Sequence, residues 1–209
     1  MEQNAGILMA DLSGYTALTE THGAAIAADI IDTYLKIVDR CVVGDARLHQ
    51  CVGDAVLIIS PSPEHLLSTA IILIQNCSKE NNFLQIHGAL HYGKILKHNN
   101  NYFGAPINLT SRIASKANKG SFWCSMEFIN ALSDKSPVTF SSKGKHSFKN
   151  VTEEIEVFEL MIENLHSFYV DPICRMLIHT KETATSHPEE TDIFFCSEDC
   201  LQLYIKNKY

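Results

Sequence analysis

The segment from Gly6 to Thr16 constrains the fold more than any other part of the sequence. Its short apolar run, Ile7 to Ala10, is bounded by turn-forming residues, which is typical of a buried strand. The run ends in a lone carboxylate, Asp11, and the bend Ser13-Gly14 then precedes a segment with helical periodicity. Ligands of α/β proteins gather where strands end, and a helix start presents N–H groups to anions. The segment therefore predicts a strand, a turn and a helix around a polar site.

Asp11 has two interpretations from this segment. Beside an anion-binding turn, its carboxylate would hold a divalent metal that bridges to a phosphate. Alternatively, its side-chain oxygen would simply cap the following helix. The segment by itself favours neither interpretation.

Length and composition exclude several classes of protein. The 209 residues suffice for one large domain, or one domain with a small appendage. The net charge of −7 argues against nucleic-acid binding, because no basic stripe exists to release counterions. The sequence shows neither a signal-peptide pattern nor an apolar run that would span a bilayer, and its 7 cysteines suit a reducing compartment. We therefore expect a soluble cytoplasmic protein with no membrane or nucleic-acid partner.

Apolar periodicity predicts an α/β (α+β) fold for most of the chain. Helices are expected at about 23–41, 63–77 and 106–118, and a hairpin at 47–59 turns at Gly53-Asp54. Strands are expected at 83–96 (interrupted at Gly88 and Gly93), 122–125, 138–142 and 155–161. The order strand, helix, hairpin, helix, strand is that of a ferredoxin-like sandwich.

The composition changes after Ile162. Residues 163–209 are rich in Cys, Asp and Glu, and they are too few for a core of their own. Such a segment usually requires a metal or a host surface to fold. We therefore divide the chain into a domain of residues 1–162 and a small cysteine-containing module of residues 163–209.

Two further polar sites lie within the predicted elements. Gly53-Asp54 is typical of an ordinary hairpin turn. In a ferredoxin-like sheet, however, this turn lies beside the end of the first strand. Asp54 and Asp11 would then form a carboxylate pair. Such pairs repel unless they are protonated or metal-bound, and Mg²⁺ uses them with substrate phosphates. Asn108 and Arg112 share one helix face, where they would contact a sugar and a phosphate or simply face solvent.

Five blocks of the sequence, in order and at compatible spacing, resemble the class III nucleotidyl cyclase catalytic domain. They are Met9 to Thr16, Val52 to Val56, His91 to Lys94, Tyr102 to Arg112 and Gly144 to Asn150. The resemblance covers about residues 5–162 and implies a ferredoxin-like fold of the nucleotidyl cyclase type. It also implies a reaction in which a nucleoside triphosphate becomes its 3′,5′-cyclic monophosphate and pyrophosphate, with two Mg²⁺ or Mn²⁺ ions at a homodimer interface.

The resemblance implies a role for each matching residue. Asp11 and Asp54 match the metal-binding aspartates, and Asn108 matches the asparagine that positions the ribose. Arg112 matches the arginine that stabilises the pentavalent phosphorus, and Lys149 the lysine that holds the terminal phosphates. The turn residues expected to contact the phosphates are Ser13, Gly14, Tyr15 and Thr16.

The sequence departs from the family pattern at two places. Asn150 follows Lys149, where the family has glycine, and the positions that read the base carry Gln50 and Asn101. An amide both donates and accepts, so these side chains are compatible with adenine, guanine or a pyrimidine. ATP is the expected substrate on family frequency alone.

The segment of residues 163–209 contains a second candidate site, formed by Cys174, Cys196 and Cys200. From about Val170 the segment resembles a YHS domain, a small metal-binding module, and thiolates favour Zn, Cu or Fe. His179 and His187 are candidate fourth ligands, whereas His22, His65 and His87 are interpreted as surface or core histidines. The alternative is a set of small buried cysteines without a metal.

Three functions remain open from the sequence. The first is an active cyclase with a regulatory or metal-sensing tail. The second is an inactive cyclase-fold module that senses a nucleotide or a metal. In the third, the cysteine tail carries the function and the cyclase-like domain serves as a dimerisation scaffold.

Overall fold

A single mixed sheet forms the centre of the protein, whose computed structural model describes residues 2–135, 138–162 and 168–208. Its strands are β1 (Glu2–Leu12), β2 (Arg47–Val52), β3 (Ala55–Ser60), β4 (Ile86–His98), β5 (Asn101–Phe103), β6 (Phe122–Ser125), β7 (Thr139–His146) and β8 (Ile155–Met161). The strand order is β2-β3-β1-β4-β6-β8-β7, and β5 pairs with β4. β4 and β6 are parallel, and the other pairs are antiparallel.

Helices cover both faces of this sheet. They are α1 (Tyr15–Cys41), α2 (Pro63–Lys79), α3 (Ala105–Lys116), α4 (Met126–Ala131) and α5 (Glu198–Lys208). Leu8 and Ala10 of β1 pack in one apolar cluster with α1 and α2, whereas Met9 contacts the separate cluster of α3. Because successive strand residues point to opposite faces, α3 lies on the face opposite α1 and α2. The predicted ferredoxin-like α+β fold is confirmed.

Most element ends differ from the sequence prediction by a few residues, and α1 and β4 differ more clearly. The first helix begins at Tyr15, and Gly23 at φ 83° separates its first turns from the predicted 23–41 segment. β4 continues through Gly88 and Gly93, so the expected interruptions were wrong. Neighbouring groups approach both glycines closely: a Cβ at Gly93 would lie 2.7 Å from Pro106 Cγ, and one at Gly88 would collide with the Met9 carbonyl oxygen. These glycines provide space rather than turns.

The tail packs on the main domain. It forms two small sheets, β9 (Tyr169–Val170) with β10 (Leu177–Ile178) and β11 (Thr185–Ser186) with β12 (Phe194–Phe195), before α5. Phe195 and Leu201 belong to the same apolar cluster as α1 and α2. The predicted division after Ile162 lies at residues 163–167, outside the described residues, and stays a prediction.

None of the helices in the described part of the chain combines the length and apolar character needed to cross a membrane.

Glu64 provides a test of how the N-terminus of α2 is anchored. Its carboxylate accepts hydrogen bonds from the backbone N (2.9 Å) and the hydroxyl (2.7 Å) of Ser133, and these bonds lower its pKa to about 2. We expect Glu64→Gln to lower the free energy of unfolding at pH 7 by about 0.5–1 kcal/mol. Since the folded pKa is depressed, this difference should shrink as the pH falls from about 4.5 to about 2. Urea unfolding at each pH, with exposed Glu20→Gln as the control, measures it.

Candidate functional site

The structure brings Asp11 and Asp54 together at one end of the sheet. β1 and β3 are antiparallel neighbours with Ala10 opposite Val56, so the end of β1 lies beside the turn between β2 and β3. Gly53, at φ 63°, makes this turn. The two carboxyl groups are near enough for the Asp11 carboxyl to raise the pKa of Asp54. The pairing of these strands, and not the sequence distance, creates the acid pair.

The environment of the pair suits a hard cation. Burial, and next the neighbouring Asp11 carboxyl, raise the pKa of Asp54 to about 6. Ionisation of both carboxyl groups is therefore disfavoured in the absence of a cation between them. Oxygen donors on two half-buried carboxyl groups match the ligand preference of Mg²⁺ and Mn²⁺.

The turn that follows β1 leaves the start of α1 open. Gly14 occupies the N-cap position at φ 95°, and among the described residues no side chain caps this helix. Asp11 Oδ1 accepts from the N–H of Leu12 instead, so the helix-cap interpretation of Asp11 is wrong. Ser13 is buried, and its N–H donates to the carbonyl of Gln85 at 2.7 Å. The first N–H groups of α1 are therefore free for an anion.

His87 is a neighbour of the acid pair that the sequence did not identify. It lies opposite Asp11 in the ladder between β1 and β4, and its Nδ1 is 2.9 Å from Ser13 Oγ. Burial lowers its pKa, although the Asp54 charge opposes this effect. A neutral His87 thus positions Ser13, in keeping with its interpretation as a satisfied histidine. Only the register of β4 against β1 reveals its position.

Asn108 and Arg112 line a cleft on the α3 face of the sheet. The cleft has a volume of about 400 Å³, and its other walls include His91 and Asn150. Asn108 is exposed and Arg112 is half-buried. His91 is buried, and its Nδ1 lies 2.7 Å from Ser125 Oγ. In the described part of the chain, no hydrogen bond or ion pair joins this cleft to the acid pair.

Lys149 is exposed beside that cleft, because Asn150 at φ 58° turns the chain there. Asparagine is one of the few residues other than glycine that adopt this left-handed conformation readily. The departure from glycine at this position is therefore accommodated by the backbone.

Gln50 and Asn101 are exposed on β2 and β5. The rings of the adjacent His49 and Tyr102 lie 4.9 Å apart, so the two strands approach each other at these positions. The Asn101 amide donates to the carbonyl of Asn99 at 3.4 Å. These contacts leave both side chains accessible to a base.

The three tail cysteines converge with a histidine of the main domain. Cys196 Sγ lies 3.4 Å from Cys174 Sγ and 3.7 Å from Cys200 Sγ, and His22 Nε2 lies 3.6 Å from the sulfurs of Cys196 and Cys200. His22, interpreted from the sequence as a surface or core histidine, lies beside these sulfurs and is a candidate metal ligand.

The two histidines predicted as fourth ligands lie elsewhere. His179 Nε2 is 2.8 Å from the carbonyl oxygen of Ser78, and His187 Nδ1 accepts from the backbone N–H groups of Glu189 and Glu190. Sequence spacing could not identify His22 as a neighbour of the cysteines, because most of the chain lies between them. Only the packing of the tail on the main domain places the three sulfurs beside His22.

Comparison with known proteins places this geometry in context. No family model matches the chain. An uncharacterized protein of Mycobacterium tuberculosis is 33% identical over 156 residues, which are 74% of this chain and 40% of that protein. A pH-sensitive adenylate cyclase of the same organism is 23% identical over 157 residues, with the same coverage of 74% and 40%. The chain thus spans about 40% of the length of these curated relatives.

Solved structures define the class of the fold. An adenylate/guanylate cyclase/hydrolase from Silicibacter pomeroyi superposes with a TM-score of 0.69 at 19% identity, over 78% of this chain and 99% of that chain. Adenylate cyclases of Trypanosoma brucei, described in their monomeric state, give 0.70 at 17% identity, over 76% and 88%. The fold is that of the adenylate and guanylate cyclase catalytic domains. The resemblance of the tail to YHS domains stays a prediction.

Proposed function

We propose that the protein is a nucleotidyl cyclase that converts a nucleoside triphosphate, with ATP as first choice, to its 3′,5′-cyclic monophosphate and pyrophosphate. The acid pair of Asp11 and Asp54 beside the uncapped start of α1, on a cyclase fold, carries this proposal. The sequence relatives with a stated activity are adenylate cyclases, among them that of Glutamicibacter nicotianae, 29% identical over 112 residues, or 53% of this chain and 28% of that protein.

Asp11 and Asp54 would hold two Mg²⁺ or Mn²⁺ ions through their carboxylate oxygens. Bound there, the ions would supply charge neutralisation for the phosphates and favour the ionised form of the attacking hydroxyl. The donor set fits these ions, because the hard carboxylate oxygens of two neighbouring side chains are the ligands that they prefer.

The chain's own groups would bind and orient the nucleotide. The N–H groups at the start of α1, at Tyr15 and Thr16, would donate to phosphate oxygens beside Gly14. The Ser13 N–H already donates to the carbonyl of Gln85, so Ser13 would contribute by holding the turn. Asn108 would hold the ribose by its amide, and Arg112 would donate to the α-phosphate as charge develops there. Lys149 would hold the terminal phosphates. The ribose 3′-oxygen then forms a bond to the α-phosphorus, the bond to the β-phosphate oxygen breaks, and the hydroxyl proton passes to solvent.

Two observations favour a homodimer with shared sites. The acid pair and the Arg112 cleft are unconnected within the described chain, and exposed apolar side chains lie on β2 and β5. Val52 is 63% exposed and Phe103 is 52% exposed, so both offer apolar surface to a partner. A second copy would cover them and would bring its Asn108 and Arg112 to the acid pair of the first. A guanylyl cyclase domain of the same fold from Blastocladiella emersonii is described as a non-canonical dimer, so the fold is found in dimers, although not necessarily with this arrangement.

The amide pair Gln50 and Asn101 favours a second candidate function. These two amides differ from the residues that read the base in the cyclase family. The difference is compatible with a cyclase-fold module that binds a nucleotide without converting it to product. Such a module would keep nucleotide affinity and lack product formation.

Incubation of the purified chain with each of the four ribonucleoside triphosphates and Mn²⁺ tests the two candidates. We expect cyclic AMP and pyrophosphate from ATP, in excess over product from the other three, when the mixtures are separated by chromatography. A thermal shift on adding ATP, with no cyclic product from any of the four, would replace the cyclase by the binding module.

A further inference from the structure

Four potential ligands meet where the tail packs against α1. The sulfurs of Cys174, Cys196 and Cys200 and Nε2 of His22 all lie within 4.8 Å of one another. In a tetrahedral zinc site, bond lengths of about 2.3 Å to sulfur and 2.0–2.1 Å to nitrogen place two sulfurs about 3.8 Å apart, and sulfur and nitrogen about 3.6 Å apart. The separations of 3.7 Å between Cys196 and Cys200 and 3.6 Å from each to His22 match these values.

The backbone around the cluster is fixed by a buried carboxylate. Asp171 is fully buried and accepts from the N–H groups of Ile173 (2.7 Å), Cys174 (3.1 Å) and Cys196 (2.7 Å). Ser197 Oγ in turn accepts from the N–H of Cys200 at 3.3 Å. All three sulfurs are therefore held by hydrogen-bonded backbone, as is usual for a preformed ligand set.

The fourth ligand belongs to the main domain. His22 ends the first segment of α1, just before the break at Gly23, and this segment starts at the turn Ser13-Gly14. The tail touches the same turn a second time, because the side chain of Arg175 lies directly against Gly14 and leaves no space for a Cβ there.

The tail also contacts the segment that leads into β4, behind that turn. Leu177 N–H donates to the carbonyl of Phe83 at 2.7 Å, and Met176 forms a bridge with Leu84. The next residue, Gln85, accepts the Ser13 N–H. The tail thus contacts residues next to both partners of the hydrogen bond that holds the turn: Gly14, which follows Ser13, and Leu84, which precedes Gln85.

The geometry points to a tetrahedral Zn²⁺ site formed by Cys174, Cys196, Cys200 and His22, which fastens the tail to the turn below Asp11. Three soft sulfurs and one imidazole with no open position are typical of a structural zinc site. The ion would cross-link two segments that, among the described residues, meet through apolar packing, the Arg175–Gly14 contact and a few hydrogen bonds. The site is independent of the proposed cyclase activity.

Metal binding to the full-length chain tests this site directly. The reduced, metal-free protein is titrated with Co²⁺, followed by Zn²⁺, and its visible absorption is recorded. We expect one equivalent of Co²⁺ to give the absorption of a tetrahedral thiolate complex and one equivalent of Zn²⁺ to remove it. Failure of the wild-type chain to bind an equivalent of either ion would overturn the site.

Matched variants separate the shared site from one contained in the tail. Cys196→Ser should weaken Zn²⁺ binding about 100-fold and His22→Gln about 10-fold or more, with a changed Co²⁺ spectrum because water replaces the imidazole. The controls are Cys51→Ser and His98→Gln, which alter an exposed cysteine and an exposed histidine outside the cluster. Unchanged affinity and spectrum in His22→Gln would remove His22 from the site and confine any metal to the tail.

Hydrogen exchange provides a readout that needs no variant. Peptides covering residues 12–24 should exchange faster in the metal-free protein than in the zinc-loaded protein, because loss of the ion releases His22 and loosens the turn. Equal exchange in the two forms would contradict the cross-link.

Discussion

Replacing Asp54 with asparagine should reduce cyclic nucleotide formation at least about 100-fold, with little change in the fold. Asparagine keeps the size of the side chain and is favoured in a turn after glycine, but it removes one anionic oxygen ligand. In the metal-free state, the variant also loses the repulsion from Asp11 that contributes to the raised pKa of Asp54. Its melting temperature without metal should therefore equal or exceed that of the wild type.

The combination of lost activity and retained stability is what identifies Asp54 as a functional acid. Rates are measured with saturating Mn²⁺ and ATP, and melting is followed in the presence of a chelator. Asp39→Asn, which alters an exposed acid on α1, is the matched control and should keep both properties. Activity of Asp54→Asn within a factor of three of the wild type would contradict the role of the pair.

Mixing two inactive variants should restore activity if the sites are shared between subunits. As homodimers, Asp54→Asn and Arg112→Ala should each have at least about 100-fold lower activity than the wild type. Each change removes a side chain that both sites of the dimer require. A mixed dimer contains one site with both changes and one site with neither. When it is isolated through two different tags, it should show about half of the wild-type activity.

The pair Asp11→Asn and Asp54→Asn is the matched control for this recovery. Both changes affect the same half of the site, so every site in their mixed dimer keeps a defect and no recovery is expected. If the Asp54→Asn and Arg112→Ala dimer also stays inactive while both variants dimerise, the acid pair and Arg112 do not act across an interface.

The sequence determined the elements and their order. The apolar run before Asp11, the Gly53-Asp54 turn and the periodic helices were sufficient to predict a ferredoxin-like sheet, because these signals are local. β6 at 122–125 and β8 at 155–161 have the predicted bounds, and Ser62 caps α2 as its residue type suggests. The glycines of β4 misled the prediction, since a glycine that makes room for Met9 or Pro106 looks the same in sequence as one that turns the chain.

Only the tertiary structure decided which side chains meet. The proximity of Asp11 and Asp54 depends on the pairing of β1 with β3, and the position of His87 depends on the register of β4. His22 shows the difference most clearly: it lies far from the cysteines in sequence, on a helix with no sign of a metal site, and the docked tail alone places it among three sulfurs. Local patterns fix secondary structure, whereas contacts between distant residues exist only after the layers have packed.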